Sequence, residues 1–214
     1  MYWEDVAITL KTARFGEKSY IVTVLSQQHG LHKALLRYGK PPLPGDVVRA
    51  TWIARLREQL GVWRFDIEFS YSPFFMRDRA KLSVFIFACE VLCAVLDERT
   101  PHVHVFDGVL SFFEQLRIST VSADWIAYYL LFEAFLLKQI GFGYERCDVA
   151  ASSCINTFVN TSSGQKILNK NEVRKALMSN GCHFEQMLGH SPFVISCRNK
   201  MIEDILCSIE DCSC

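Results

Sequence analysis

The sequence predicts an α+β protein in which a small barrel of five short strands is followed by helices. Five β-rich runs lie within residues 6–69, and turns rich in Gly and Pro separate them. Such closely spaced runs favour a barrel or sandwich over a βαβ unit. After residue 76 the apolar residues recur at helical spacing. The predicted strands are Val6–Arg14, Tyr20–Ser26, Leu31–Tyr38, Asp46–Arg57 and Val62–Phe69.

Alternation along the strands predicts the core, because successive side chains point to opposite faces of a sheet. The predicted core positions are Trp63, Phe65, Ile67 and Phe69 of the fifth run and Val48, Ala50, Trp52, Ala54 and Leu56 of the fourth. The other face of the fourth run carries Arg49, Arg55 and Arg57 and is therefore basic. Lys33 and Arg37 also share one side of the third run. The alternative reading is an ordinary solvated strand face.

Three apolar helical segments follow the barrel. They are predicted from Arg77 to Arg99, from Pro101 to about Arg117, and from Ser122, as the N-cap, to a left-handed C-terminal cap at Gly141. The third is apolar nearly all round, so we expect it to be central.

The last part of the chain reads as irregular structure with short helices. Residues 147–163 are rich in Ser, Asn and Thr. A helix is predicted from Asn171 to Ser179, with a stop at Asn180-Gly181, and an amphipathic helix from Arg198 to Ser208.

Composition limits the class of protein. The net charge is zero, but residues 1–75 hold ten Lys and Arg against seven Asp and Glu, a net +3, which leaves −3 for the remainder. The N-terminus lacks the pattern of a signal peptide, so we expect a cytoplasmic protein, and its nine cysteines are expected to be free thiols. Cys89 and Cys93 are predicted core residues in an apolar stretch that is too short to span a membrane.

No catalytic motif is recognisable. The sequence lacks a Gly-x-Ser-x-Gly elbow, a phosphate-binding Gly-x-x-x-x-Gly-Lys loop and a His-Glu-x-x-His motif. His102 and His104 are two residues apart and so would not share a helix face. We therefore expect a protein that is not an enzyme and needs no cofactor.

A resemblance to a protein family is carried by several segments, which occur in the same order along the chain. They are Trp3-Glu4-Asp5, Ile8-Thr9-Leu10, Arg14 to Ser19, Leu25 with His29-Gly30, Leu43 to Asp46, Val48 to Trp52, Arg55 to Gly61, Glu133 to Gly143 before Cys147, Phe158-Val159 and Ser162 to Gly164. Over about residues 1–165 the chain resembles the bacterial DNA repair protein RecO family.

The resemblance implies an architecture and a role. It implies an OB-fold barrel at residues 1–75, an α-helical domain at 76–145, and a small irregular, zinc-finger-like module with C-terminal helices at 146–214. It also implies a cytoplasmic, nucleoid-associated mediator that binds single-stranded DNA, anneals complementary strands and helps RecR to load RecA on DNA coated by single-strand binding protein. The alternative is a protein-interaction scaffold whose barrel has lost DNA binding.

OB-folds bind single strands through a charged groove and aromatic platforms. The candidate DNA-binding residues are Lys11, Arg14, Phe15, Lys18, Lys33, Arg37, Tyr38, Lys40, Arg49, Arg55, Arg57 and Arg64. Relatives often carry a longer basic loop than Tyr38 to Pro44. Lys138 and Arg146 are candidate cations for the acidic tail of single-strand binding protein.

A zinc site is not expected in the irregular module. Many family members carry two Cys-x-x-Cys pairs there, whereas here six residues separate Cys147 from Cys154 and no second pair follows. Cys182 and His183 are the nearby substitutes, and no role is predicted for Cys212 and Cys214.

Overall fold

The computed structural model describes residues 1–56, 58–141, 170–188 and 191–210. The N-terminal part contains five strands, as predicted. They are β1 (Tyr2–Phe15), β2 (Ser19–Ser26), β3 (Gly30–Leu36), β4 (Asp46–Ile53) and β5 (Val62–Ser70). The largest difference from the predicted bounds is in β1, which begins at Tyr2, and in β4, which already ends at Ile53.

The strands close into a barrel in the order β1-β2-β3-β5-β4. The first half of β1 pairs with β4 and its second half pairs with β2, so this long strand belongs to both sides of the barrel. β3 and β5 are parallel and are joined by the single registered pair Leu35–Val62. A five-stranded barrel of this kind is an OB-fold, and the predicted OB-fold barrel is confirmed. Residues 146–169 of the predicted irregular module lie outside the described residues.

Small and β-branched side chains line the barrel and leave room for two indoles. The buried residues include Ala7, Val22, Val24, Ala34, Val48, Ala50, Trp52 and Trp63. The indole N–H of Trp63 donates to the Val22 carbonyl at 3.0 Å, and that of Trp52 donates to the Leu60 carbonyl at 3.1 Å. Each indole therefore has a partner for its polar atom, as buried tryptophans usually do.

Three predicted core positions are exposed instead. Leu56 lies beyond the end of β4, where the chain bends. The β4–β5 register shifts between Val47 and Val48. Phe69 therefore lies opposite Val47, whereas an unbroken register would place it opposite Asp46. Ile67 lies past the only β3–β5 pair, so no strand covers it on that side.

The rest of the described chain is helical. The helices are α1 (Ser72–Phe75), α2 (Arg79–Val95), α3 (Val103–Ile118), α4 (Ser122–Gln139), α5 (Lys170–Leu188) and α6 (Pro192–Glu210). None of the helices within the described ranges is long and apolar enough to cross a membrane. Contacts divide the chain into two compact units, one comprising Met1–Arg77 with Ala88–Asp107 and the other comprising Asp78–Phe87 with the chain from Gly108 onward. The three-domain division stays a prediction.

The bounds of several helices differ from prediction. α2 ends at Val95 rather than at Arg99, and α6 begins at Pro192 rather than at Arg198. The N-cap of α4 is Val121, without a side-chain cap, so Ser122 is already helical. α5 continues through Asn180 and Gly181 instead of stopping there. The Asn180 amide is buried and donates to Glu133 at 3.1 Å, a tertiary hydrogen bond that outweighs the local tendency to end the helix. Gly141 has a φ of +85° after α4, as predicted for a left-handed cap.

A buried ion pair lies in the second unit. Glu133 accepts hydrogen bonds from the Tyr129 hydroxyl, the Asn180 amide and the Arg198 guanidinium. Arg198 also donates to the Leu177 carbonyl at 2.6 Å. Burial, with the Glu133 charge adding to it, raises the pKa of Tyr129 well above its ordinary value, so the phenol remains the donor.

Candidate nucleic-acid interface

The basic side chains of the barrel fall into two groups, of which the first is ion-paired. The pairs are Lys11 with Glu90 at 2.7 Å, Lys33 with Glu98 at 2.5 Å, and Arg49 with Glu68 at 2.8 Å and Glu4 at 3.7 Å. All three cations project from strands. The carboxylates neutralise most of the charge on the strand faces that the sequence presents as basic.

The second group has no such partners. Lys18, Arg37, Lys40, Arg55 and Arg64 are exposed, and none has a carboxylate within 4.0 Å in the part of the chain that the structure describes. Arg14, also exposed, donates to the carbonyls of Gly16 and Glu17 at 3.3 Å and so shapes the β1–β2 turn. Most of these cations lie in turns or at strand ends.

Strand pairing brings these turns to one edge of the barrel. Ser19 pairs with Phe15, Tyr20 with Leu36, Leu35 with Val62, and Val62 with Ile53. Adjacent strands lie about 4.8 Å apart, so three steps connect the start of β2 to the end of β4 over about 14 Å. We call this surface the cationic edge and define it by Lys18, Arg37, Lys40 and Arg55.

Two aromatic side chains lie beside the cationic edge. Phe15 ends β1 and is 55% exposed, and Tyr38 follows β3 and is 84% exposed. Both are among the candidate DNA-binding residues that the sequence predicts. Exposed rings next to cations are what single-stranded nucleic acids require, because bases stack on the rings while phosphates contact the cations.

The prediction of three guanidinium groups on one face of β4 was wrong. Only Arg49 belongs to the strand, because β4 ends at Ile53 and the chain bends at Arg55. Arg57 lies outside the described residues. Arg37 likewise follows the end of β3, while Lys33 remains within it. Sequence alternation could not reveal the partners, since Glu90 and Glu98 come from more than 60 residues later in the chain.

The mouth of the barrel holds a cavity that the sequence did not reveal. Its volume is about 480 Å³, and it is lined by Met1, Tyr2, Trp3, Gln28, His29, His32, Trp52, Arg99 and Pro101. The centroid of the His32 ring lies 5.2 Å from that of Trp3, 5.0 Å from Trp52 and 5.7 Å from Trp63. Burial, reinforced by the positive charge of Arg99, lowers the pKa of His32 to about 4. Its imidazole is therefore neutral at pH 7.

Of the candidate partner-binding and metal-binding residues in the helical and irregular regions, the structure describes only some. Lys138 is exposed in the last turn of α4, and its carbonyl accepts the N–H of Gly141 at 3.2 Å. Arg146, Cys147 and Cys154 lie outside the described residues. Within residues 1–56, 58–141, 170–188 and 191–210 no group of three His, Cys, Asp or Glu could hold a metal ion.

Comparison with known proteins agrees with the barrel and the helices. A family model described as Recombination protein O N terminal matches residues 1–58, and one described as Recombination protein O C terminal matches residues 76–186. The DNA repair protein RecO of Rhodospirillum centenum is 30% identical over 202 residues, which are 91% of this chain and 77% of that protein.

Two further relatives have the same description. The DNA repair protein RecO of Anaplasma marginale strain St. Maries is 26% identical over 215 residues, covering 99% of this chain and 85% of that protein. The DNA repair protein RecO of Rhizobium etli is 33% identical over 180 residues, covering 78% of this chain and 67% of that protein. The chain therefore belongs to the RecO family of DNA repair proteins.

Proposed function

We propose that this protein acts in DNA repair and recombination by binding single-stranded DNA on the cationic edge of its OB-fold barrel. The observation that carries the proposal is the gathering of cations, which have no carboxylate partner among the described residues, beside the exposed rings of Phe15 and Tyr38. In OB-folds the β1–β2 and β4–β5 loops are the ones that bind oligonucleotides. Lys18 and Arg55 lie in these two loops.

The mechanism is non-enzymatic capture. Phosphates replace condensed counterions as they meet Lys18, Arg37, Lys40 and Arg55, and each base that stacks on an exposed ring adds about 1–3 kcal/mol. Two strands held with neutralised backbones repel each other less, which promotes annealing. No cofactor takes part in these steps.

The proposed partners follow from family membership. We propose that the protein cooperates with RecR to load RecA on DNA coated by single-strand binding protein, in the cytoplasm and in association with the nucleoid. Lys138 and Arg146 are the proposed cations for the acidic tail of single-strand binding protein. The ion-paired Lys11, Lys33 and Arg49 are proposed to contribute less to DNA affinity than the cationic edge.

A second function is favoured by a specific observation. Carboxylates neutralise the strand-face cations, and the loop from Tyr38 to Pro44 is short. Both features suit a barrel that serves as a scaffold for protein partners without binding DNA. The scaffold reading predicts no affinity for single strands even at low salt.

A charge-matched pair of triple variants tests the proposal. We expect Lys18→Ala/Arg37→Ala/Arg55→Ala to lose most of its affinity for a labelled single-stranded oligonucleotide. Each phosphate contact contributes about 0.7 to the slope of log K against log salt, so the slope should decrease in magnitude by about 2. The control, Lys11→Ala/Lys33→Ala/Arg49→Ala, changes the net charge by the same amount but removes cations that are already paired.

The two variants separate local from long-range electrostatics. Equal losses of affinity would mean that net charge, not the cationic edge, determines binding. Absence of binding by the unmodified protein at 20 mM salt, with circular dichroism showing an intact fold, would refute the DNA-binding proposal and support the scaffold. Annealing rates of complementary strands, measured with the same variants, should follow the affinities.

A further inference from the structure

The cavity at the barrel mouth contains a buried polar group without a partner. His32 is 4% exposed, and neither ring nitrogen has a hydrogen-bond partner among the described residues. Burying a donor or acceptor without a hydrogen bond destabilises the folded protein. The two ring nitrogens of His32 are therefore expected to have a partner that is not part of the described structure. His32 lines the cavity itself, which places its ring beside open space.

The surrounding aromatic rings can provide a partner for only one of the two imidazole nitrogens. A neutral imidazole has one N–H donor and one acceptor nitrogen. The ring lies nearly perpendicular to Trp3, at 88°, and to Trp52, at 76°, so an indole face can accept its N–H. A π face cannot donate, and the indole N–H groups of Trp52 and Trp63 already donate to backbone carbonyls. The acceptor nitrogen therefore has no donor among the described residues, and an N–H of a ligand in the cavity can supply one.

A cation lines the same cavity. Arg99 has a φ of +61°, a conformation that is unfavourable for a residue other than glycine. Its backbone N–H donates to Leu31 at 2.8 Å, and its guanidinium donates to the Gln59 carbonyl at 3.2 Å. The contacts on both sides hold the side chain at the cavity, where a guanidinium suits a phosphate.

The cavity is connected to the β4–β5 turn that carries Arg55. Three lining residues donate to backbone carbonyls of this turn: Met1 to Ala54, Trp52 to Leu60, and Arg99 to Gln59. A strand that follows the cationic edge to this turn therefore reaches the mouth of the barrel. The volume of about 480 Å³ is within the range of small-ligand sites, and barrel mouths are a common place for them.

We propose that the barrel mouth binds one unstacked nucleobase with its phosphate, the base lying against Trp3 and Trp52 and donating an N–H to His32 while Arg99 contacts the phosphate. All four DNA bases have an N–H on their pairing edge, so this contact suits any of them. A DNA strand or a free nucleotide could supply the base. The inference rests on the proposed function only if the base belongs to a DNA strand, and not if it belongs to a free nucleotide.

The test compares His32→Phe with unmodified protein, because phenylalanine keeps a ring of similar size but removes the acceptor. We expect about a three- to tenfold loss of affinity for a single-stranded oligonucleotide, the size of one hydrogen bond, with an unchanged salt slope. An oligonucleotide of abasic residues should bind both proteins equally. His104→Phe, which alters an exposed histidine, is the control and should bind normally.

The unmodified protein gives a second readout that needs no variant. An oligonucleotide with one 2-aminopurine should lose fluorescence on binding as the base stacks on the indoles, and 2-aminopurine deoxyriboside monophosphate tests the free nucleotide. Quenching of either probe, diminished by His32→Phe, supports the site and identifies its source. Equal affinity of the unmodified protein and His32→Phe for the normal strand, with no loss of quenching of either probe in His32→Phe, would refute it.

The two proposals fail in different ways. If the Lys18/Arg37/Arg55 variant loses DNA binding while His32→Phe and the 2-aminopurine probes behave as if the mouth were empty, the cavity inference is wrong and the DNA-binding proposal stands. If oligonucleotides do not bind but the mononucleotide is quenched, the DNA-binding proposal is wrong and the cavity binds free nucleotides.

Discussion

At the scale of single residues, burial changes the chemistry of His32. Its neighbours in the structure are the indoles, His29, Arg99 and Glu98, and only the last of these opposes the lowering of its pKa to about 4. Histidine in an unfolded chain has a pKa of about 6.5. The folded protein therefore binds fewer protons than the unfolded chain between these two values.

This difference predicts a pH dependence of stability. The contribution of His32 is fully present above about pH 6.5 and is lost as the pH falls towards 4, because the unfolded chain takes up the proton first. Between pH 7.5 and 5.0 the unmodified protein should lose about 2 kcal/mol more free energy of unfolding than His32→Phe. Urea unfolding at both pH values measures this. The exposed His104→Gln should behave like the unmodified protein, and an equal pH dependence in His32→Phe would contradict the expectation.

The Glu133–Arg198 pair leads to a second prediction at this scale. Both side chains are buried, at 2% and 4% exposure, and the guanidinium lies 5.3 Å from the ring centroids of Phe87 and Phe184. Removing one partner leaves the other charge buried and uncompensated. Glu133→Gln should therefore reduce the free energy of unfolding by about 3–5 kcal/mol.

Urea unfolding again provides the measurement, and Glu203→Gln, on the exposed side of α6, is the matched control with an expected effect below about 0.5 kcal/mol. The double change Glu133→Leu/Arg198→Met should recover part of the loss, since no charge remains buried. If Glu133→Gln lowers the free energy of unfolding by less than about 1 kcal/mol, other groups compensate the buried charge of Arg198.

At the scale of elements, the β2–β3 turn is pressed against the segment that follows α2. Gly30 has a φ of +70°, and a Cβ there would lie 1.7 Å from the Thr100 carbonyl oxygen. Leu31 and Glu98 also form a parallel bridge. The predicted strands Tyr20–Ser26 and Leu31–Tyr38 leave a turn that contains Gly30, but the backbone of a distant segment is the reason that glycine is required there.

Gly30→Ala should accordingly destabilise the protein far more than Gly16→Ala. Both glycines have positive φ values, which cost an alanine about 1–2 kcal/mol, but nothing lies within 4 Å of a Cβ at Gly16. We expect the melting temperature to fall by several degrees in Gly16→Ala and considerably more in Gly30→Ala. Equal melting temperatures would mean that the segment at Thr100 moves away without cost.

At the scale of the whole molecule, charge is arranged locally. The net charge is zero, so electrostatic capture of DNA depends on which cations retain a free charge. The sequence could identify the basic residues of the barrel, because composition and turn positions are local properties. It could not show that Lys11, Lys33 and Arg49 are neutralised, because two of their partners follow much later in the chain.

The same distinction explains the successes and failures for the fold. Alternation and turn residues predicted five strands, and the buried Trp52 and Trp63 are confirmed. The predicted stop at Asn180-Gly181 failed because the hydrogen bond to Glu133 is tertiary. The cavity around His32 combines side chains from residues 1–3, 28–32, 52 and 99–101, and no local pattern reveals such an assembly.

The seam between β3 and β5 has a consequence for the elasticity of the barrel. One registered pair, Leu35–Val62, and the bond from the Leu35 N–H to the Gly61 carbonyl join these strands, whereas every other pair of neighbours shares a long ladder. Widening at this line would break fewer backbone hydrogen bonds than widening between any other two neighbouring strands of the described barrel, and the cationic edge crosses that line.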